Sequence, residues 1–446
     1  MKLQNNTAVK NVTAVDHSYE GLGTVKIDDY PIFVENLLPG EIADILIKKA
    51  NSKFAFAKVI KRYNESTKRI KVVSKKLMES GSAPLANISY SDQLEFKENF
   101  VKQLFKRNIH YTDILPILKS DYEWRYRNKL LLFTKNVQNT IKIGLYEKNS
   151  HNLIEQDSYD LVSNEAENVL IWLGKNINKY DCFKNVKNAL TSITLRESYA
   201  NKNIMLYFTT SKAFDLSKQF VNDIAKEFDH IETIMVIVND KVVYSYLSKK
   251  PYLIDKIGKF SFKYNWNSFF QINSNQTEKL YSLLLDNLNL DKSKVVLDAY
   301  CGIGTISLFL AQKAKKVYGL EIVKEAVINA KENALDNSIH NTEFISGDVI
   351  KTIDSINEKI DTVVVDPPRS GLSSEFLNKI IDIKPEEIGY ISCNPHTMCR
   401  DIDQLIKAGY ELSFLRPCDM FSQTYHIEMV AVLKLKEAKR TIKQDH

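Results

Sequence analysis

The chain reads as an α/β protein with a C-terminal Rossmann-like domain, preceded by a small N-terminal β-barrel and a central α+β domain. Three observations predict this. Residues up to about Lys61 fall into short alternating runs, GTVKI, YPIFVENL, EIADILIKKA and FAFAKVIKRY, divided by Gly21, Gly23 and the Leu38-Pro39-Gly40-Glu41 corner. Short strands punctuated this way build small barrels. From about Ser293, apolar strands alternate with helices, the pattern of a doubly wound parallel sheet. The length of 446 residues exceeds one ordinary domain. The expected domains are 1–62, 63–265 and 266–446.

In the barrel region Lys48, Lys49, Lys53, Lys58, Lys61 and Arg62 are interleaved with Tyr30, Phe33, Phe54, Phe56 and Tyr63. Basic groups among aromatics suit single-stranded RNA, through phosphate attraction and base stacking. The same residues also read as core aromatics with a solvated charged rim. In the middle region SYSDQLEFKENFVKQLFKR predicts an amphipathic helix, and WRYRNKLLLFTK with TIKIGLYEKN a hairpin. SNEAENVLIWLGKNI predicts a second helix, and NIMLYFTT, TIMVIVN and VVYSYLS further strands.

Composition narrows the class. Hydrophobic content of 44% supports sizeable cores, and 61 basic against 55 acidic residues give a net charge of +6, compatible with a polyanionic partner. The opening MKLQNNTAVK lacks an apolar signal region, and no apolar run is long enough for a membrane span, so a cytoplasmic protein is expected. Five cysteines, Cys182, Cys301, Cys393, Cys399 and Cys418, fit a reduced chain better than a disulfide framework. None has the paired spacing of a zinc knuckle.

The segment VVLDAYCGIGTISLFLA carries an apolar strand ending at Asp298, then the turn Gly302-Ile303-Gly304 and an apolar helix. Glycines there let the backbone approach a ligand where a side chain would collide. Glu321, ending KVYGLEI, is placed to accept hydrogen bonds from both ribose hydroxyls of an adenosine-containing ligand, and Asp348, ending TEFISGDV, to border the adenine. Ordinary turn residues are the competing reading of Asp298 and Glu321. NAD is the rival ligand, but the downstream residues suit methyl transfer and not hydride transfer, so S-adenosylmethionine is expected.

Two strand ends carry that chemistry. DTVVVDPPRSGL leaves Asp366, Pro367, Pro368 and Arg369 after one apolar strand, and GYISCNPHTMCRDI leaves Cys393, Asn394 and Pro395 after the next. Both tips should face one cleft beyond the carboxyl ends of the strands. PCDMFSQTYHIEMVAVL brings Glu428 towards it, past Asp419. Uracil C5 is a poor nucleophile until a thiolate adds to C6, and a base must afterwards remove the C5 proton. Cys393 and Glu428 are the candidates for those roles. Arg369, or the helix starting near Pro395, would favour the thiolate. The bland readings are a buried hydrophobic thiol and a salt-bridge carboxylate. Cys399 and Cys301 read as packing residues.

Together these motifs resemble the RNA uracil-C5 methyltransferases that make 5-methyluridine in ribosomal and transfer RNA. The resemblance covers nearly the whole chain. The N-terminal region looks like a TRAM domain; WRYRNK (Arg125, Arg127, Asn128, Lys129) and IGLYEKNSH, ending in His151, are similar to the family's segments. In FFQINSNQTEKLY the resemblance implies that Gln271 contacts the cofactor, and Tyr300, Glu321 and Asp366 match its other cofactor positions. Cys393 falls on the nucleophile and Glu428 on the proton acceptor. The combination of DPPRSGL, ISCNPHTMCRD and DMFSQTYHIE is far more specific than any one of them.

Ribosomal members commonly hold a four-iron cluster on four cysteines. The corresponding stretch here, KKLMESGSAPLANISYSDQLEFK, has no cysteine, and Ser158 stands near the fourth position, so no iron–sulfur cluster is expected and no metal site is assigned. The TRAM-like barrel favours 23S rRNA as substrate over the tRNA T-loop, with the uridine flipped from its stack. The expected partner is therefore RNA, and the expected protein a monomer without membrane attachment. The rival readings are an exocyclic-amine methylase using the Asp-Pro-Pro strand end, and a non-catalytic RNA-binding or folding factor.

Overall fold

In the computed structural model, which describes residues 4–248 and 250–436, the N-terminal segment forms six strands. They are β1 (Ala8–Thr13), β2 (Asp16–His17), β3 (Gly23–Ile27), β4 (Tyr30–Glu35), β5 (Ile42–Ala50) and β6 (Ala55–Arg62), in the order β1-β5-β6-β4-β3-β2. Period-two alternation sorts their side chains. Ile32, Val34, Ala43, Ile45, Ile47, Ala55 and Ala57 turn inward into an aliphatic core with Val12 and Val25. Phe33 and Phe56, the intervening residues, turn outward with Phe54. Their rings stand 5.5–6.0 Å apart, half-buried, beside exposed Lys53 and Lys58. Of the aromatics in this region, Tyr30 packs against the core.

The Leu38–Glu41 corner is fixed by a buried charge. Glu41 is fully buried and accepts from Arg69 at 2.5 and 2.7 Å, from Arg62 at 3.1 Å and from the Leu38 and Ser66 amides. Burial pushes its carboxyl up, but these hydrogen bonds outweigh burial and hold it below the ordinary carboxylate range. The cysteine-free stretch that follows packs by other means. Leu85 and Ile88 cluster with Leu38 and Phe96, and the Gln93 amide donates to the Leu85 and Ile88 carbonyls and to Gln423.

The described residues divide into two compact units. The first holds the barrel, the chain up to Phe100, Ile143–Asp160 and Phe421–Tyr425; the second holds Val101–Lys142, Leu161–Met420 and the chain from His426. The amphipathic helix forms over Tyr90–Ile109, and the second predicted helix over Asn164–Asn176, capped by Ser163. Strands β7 (Lys129–Val137), β8 (Thr140–Tyr146) and β9 (Leu153–Ile154) follow, then β10 (Leu190–Glu197), β11 (Ile204–Thr210), β12 (Ile231–Val238) and β13 (Lys241–Tyr246). Within the second unit the order is β13-β12-β11-β10-β7. A hairpin, β14 (Tyr252–Ile257) and β15 (Phe260–Asn265), turns at Gly258, whose φ of +57° suits glycine.

The C-terminal sheet comprises β16 (Val295–Ala299), β17 (Lys316–Glu321), β18 (Thr342–Ser346), β19 (Thr362–Val365), β20 (Glu387–Ser392), β21 (Tyr410–Cys418) and β22 (Glu428–Leu435). Their order is β18-β17-β16-β19-β20-β22-β21. The first five pair in parallel, and β22 runs antiparallel to both β20 and β21. Strand order reverses between β16 and β19, the switch point where such sheets open a ligand crevice. The central parallel strands β16 and β19 are buried along their whole length, as strands covered on both faces are, while β18 at the sheet edge is only partly buried. Among the described residues no helix is long and apolar enough to cross a membrane.

Candidate active site

Register brings the motif residues to one edge. Ala299 of β16 lies beside Leu320 of β17 and Val365 of β19, so Tyr300, Glu321 and Asp366 emerge together. Val365 pairs with Tyr390 of β20, whose last residue, Ser392, pairs with Met429 of β22. Cys393 therefore leaves β20 opposite Glu428, the first residue of a strand running the other way.

The glycine turn has two distinct requirements. Gly304 has φ +81°, and a Cβ there would meet the Phe344 ring at 3.0 Å. Gly302 has φ +54°, and a Cβ would project into open space. Packing demands the first glycine, while the second keeps backbone exposed to a ligand. Tyr300 also has positive φ, +66°, held by its amide donating to the Leu320 carbonyl at 2.9 Å. A small cavity gathers Gln271, Tyr300, Gly302 and Asp366 with Phe269 and Ile303. Gln271 is buried, and the Asn128 side-chain amide anchors its carbonyl at 2.8 Å.

The other candidates stand around that cavity and do not line it. Glu321 accepts from the Gly302 amide at 3.1 Å and the Val323 amide at 2.8 Å, which sets its carboxylate against the turn. Asp298 is fully buried; one oxygen accepts from Ser307 and the other has no partner. Burial, with Asp366 and Glu321 nearby, pushes it up to about 7. Asp348 is exposed and caps the helix Val349–Thr352 through the Ile350 amide at 2.9 Å.

Cys393 is half-buried and Glu428 is buried. The expected pull of Arg369 on the thiol is present but outweighed. Burial first, then the Glu428 and Asp366 carboxyls, push the Cys393 thiol up to about 11, against the opposing pull of Arg369. At the helix Pro395–Lys407, Asn394 caps the N-terminus by accepting from the His396 amide at 3.1 Å, which takes up one of its free N–H groups. Burial and Asp366 raise the Glu428 carboxyl well above its ordinary value, and burial alone raises Asp366 to about 7. Cys301, Cys399 and Cys418 are buried.

Asp401 was not singled out from sequence. Fully buried, it accepts from the Leu372 amide at 2.8 Å, the Tyr390 hydroxyl at 2.7 Å and Arg400 at 2.8 Å. Asn394 and Arg400 meanwhile donate to the carbonyls of Arg369 and Ser370 at 2.9 and 3.1 Å. The loop after β19 is thus clamped to the helix after Cys393. The signal was a lone carboxylate, Asp401, on the helix face that carries Met398, Ile402 and Leu405.

The fold is a doubly wound sheet whose crevice opens at the strand-order switch, an arrangement that suits a nucleotide-like ligand. A solved structure of Pyrococcus abyssi tRNA (uracil-54, C5)-methyltransferase in complex with S-adenosyl-L-homocysteine matches at a TM-score of 0.76, covering 95% of this chain and 99% of that one at 24% identity. Residues 89–436 match the family described as tRNA (uracil-5-)-methyltransferase, and residues 6–60 match the TRAM domain. The chain belongs to this RNA uracil-5-methyltransferase family. Relatives named as uncharacterized RNA methyltransferases include one from Oceanobacillus iheyensis, 37% identical over 97% of this chain and 98% of its own. Another, from Enterococcus faecalis, is 35% identical over 95% and 97%.

Proposed function

We propose that the protein transfers a methyl group from S-adenosylmethionine to C5 of uridine in RNA, with Cys393 as nucleophile and Glu428 as proton acceptor. The observation that carries this reading is the pairing of Ser392 with Met429, which sets thiol and carboxyl side by side next to Asp366. The cofactor fits the residues present: a cavity lined by Gln271, Tyr300, Gly302 and Asp366, with no side chain to crowd it at Gly302. When bound, it supplies an electrophilic methyl group and a positive charge.

The Cys393 sulfur bonds to C6, and the C5–C6 pair shifts towards O4. The C5 carbanion so formed takes the methyl group. Glu428 then accepts the C5 proton, C5=C6 re-forms, and the bond to sulfur breaks. A thiol pushed up to about 11 is mostly protonated at neutral pH, and burial favours the neutral Glu428 carboxyl too, so both must lose their protons to solvent as substrate and cofactor bind. Residues 1–62 and 63–265 are proposed to hold the RNA and 266–446 to perform the chemistry, with the outward Phe33, Phe54 and Phe56 as a stacking surface.

RNA containing 5-fluorouridine tests the proposal, because fluorine cannot leave C5 as a proton does. A denaturation-resistant adduct is expected, absent in Cys393→Ala. An amine methylase would keep its activity in that variant, which would sink the covalent reading. The TRAM domain supports 23S rRNA as the substrate. The family description and the Pyrococcus abyssi enzyme favour a tRNA T-loop as a second reading. Incubation with both unmodified RNAs and mapping of the methyl group by mass spectrometry separates them. The same protein is expected to carry no iron–sulfur cluster and to be a cytoplasmic monomer.

A further inference from the structure

Two cations face each other at the ends of two interior strands of the central sheet. Lys129, at the start of β7, pairs directly with Arg196 near the end of β10 in the antiparallel ladder, so both side chains share a face. Like charges directly opposite destabilise a sheet. Among the described residues neither forms an ion pair. The Lys129 ammonium is pushed down to about 8, by burial first and then by Arg196, with no carboxylate acting the other way. Arg196 is buried; its guanidinium donates to the Ser268 carbonyl at 2.7 Å and lies 5.4 Å from the Tyr264 ring, while its Nε has no partner. Leu131, two residues along the same face, is 38% exposed, so solvent reaches this side of the sheet.

We infer that Lys129, backed by Arg196, binds a backbone phosphate of the RNA next to the nucleotide being modified. This rests on the RNA-methylating reading above and adds a residue to it. Arg196 holds Ser268, and the next residue, Phe269, is 71% exposed and lines the cavity with Gln271. A phosphate at Lys129 would relieve the repulsion and place its attached base within reach of an exposed ring. That combination of cation and aromatic is how single strands are held. A small free anion would satisfy the charges but has no use for Phe269.

The test uses the full chain and a single-stranded uridine-containing RNA, with affinity measured across a potassium chloride series. Lys129→Gln should weaken binding and reduce the salt slope by about 0.7, the value for one phosphate contact on a single strand. It should raise KM more than it lowers kcat, and Lys129→Arg should restore both. The exposed Lys384→Gln, outside the segments proposed to hold the RNA, serves as control and should leave the slope unchanged. S-adenosylmethionine binding by calorimetry confirms that each variant is folded. An unchanged slope in a folded Lys129→Gln overturns the inference. Tight Lys129-dependent binding of inorganic phosphate, with no change in RNA affinity, overturns it too, by assigning a small-anion site. A Lys129-dependent slope without any methyl transfer would sink the proposed function and leave the phosphate site standing.

Discussion

Exchange of the Cys393 thiol with an aromatic disulfide reagent reports directly on the charge balance around it. With a pKa of about 11, roughly three thiols in ten thousand are ionised at pH 7.5, against about one in ten for an ordinary cysteine. The deficit is about 300-fold. A more basic thiolate is the better nucleophile, which returns about tenfold and leaves exchange roughly 30-fold slower than in an unfolded reference. Partial burial slows it further without altering its pH dependence. The rate of labelling, read by mass spectrometry on the Cys393 peptide, should rise about tenfold per pH unit from 7 to 10. Arg369→Gln removes the charge that opposes burial and should lower the rate at every pH in that range. A plateau below pH 8.5 would mean that the free protein already holds a thiolate. Burial and the Glu428 and Asp366 carboxyls would then be overmatched by Arg369, and the electrostatic argument would be wrong.

Three other outcomes are expected. Glu428→Gln should still form the bond to C6 and methylate, but release should slow by about 10²–10⁴-fold, so a covalent RNA–protein species accumulates on denaturing gels. Glu41→Ala leaves Arg69 buried without its partner and should destabilise the first unit by about 3–5 kcal/mol in urea denaturation. Because the folded carboxyl of Glu41 is held below its ordinary value, its contribution is fully present above the unfolded pKa. It is lost as pH falls through the folded one, so acid should unfold the wild type over a range where the variant is insensitive. Lys48, Lys49 and Lys53 are exposed, and replacing all three with Ala should weaken RNA binding and reduce its salt slope by about 2. An unchanged slope would remove that surface from the RNA path.

Much of the fold was legible because the signals are local. Alternation in β3 to β6 and the strand–glycine–helix passage at Asp298–Lys313 are written in consecutive residues. β1 and β10 escaped because AVKNVT and LTSITLRE mix polar residues into both faces. The β14–β15 hairpin was missed despite clear alternation in YLIDKI and FSFKYN around Gly258. The barrel aromatics could be read either way, since alternation says which residues share a face but not which face is buried. The aliphatic core around Ile32 and Val34 decides that.

The sequence by itself determined the parallel strands, the glycine turn and the chemical groups on offer, a thiol at 393 and carboxyls at 366 and 428. Only the tertiary structure decided their relations. β22 runs antiparallel, so its first residue reaches the edge where the parallel strands end, and Glu428 stands opposite Cys393 across 35 positions of sequence. The same folding buried the thiol beside two carboxyls and reversed its expected acidity. It also set Lys129 against Arg196. Register and burial depend on contacts between distant segments, and neither electrostatic balance nor cross-strand pairing has a signature in neighbouring residues.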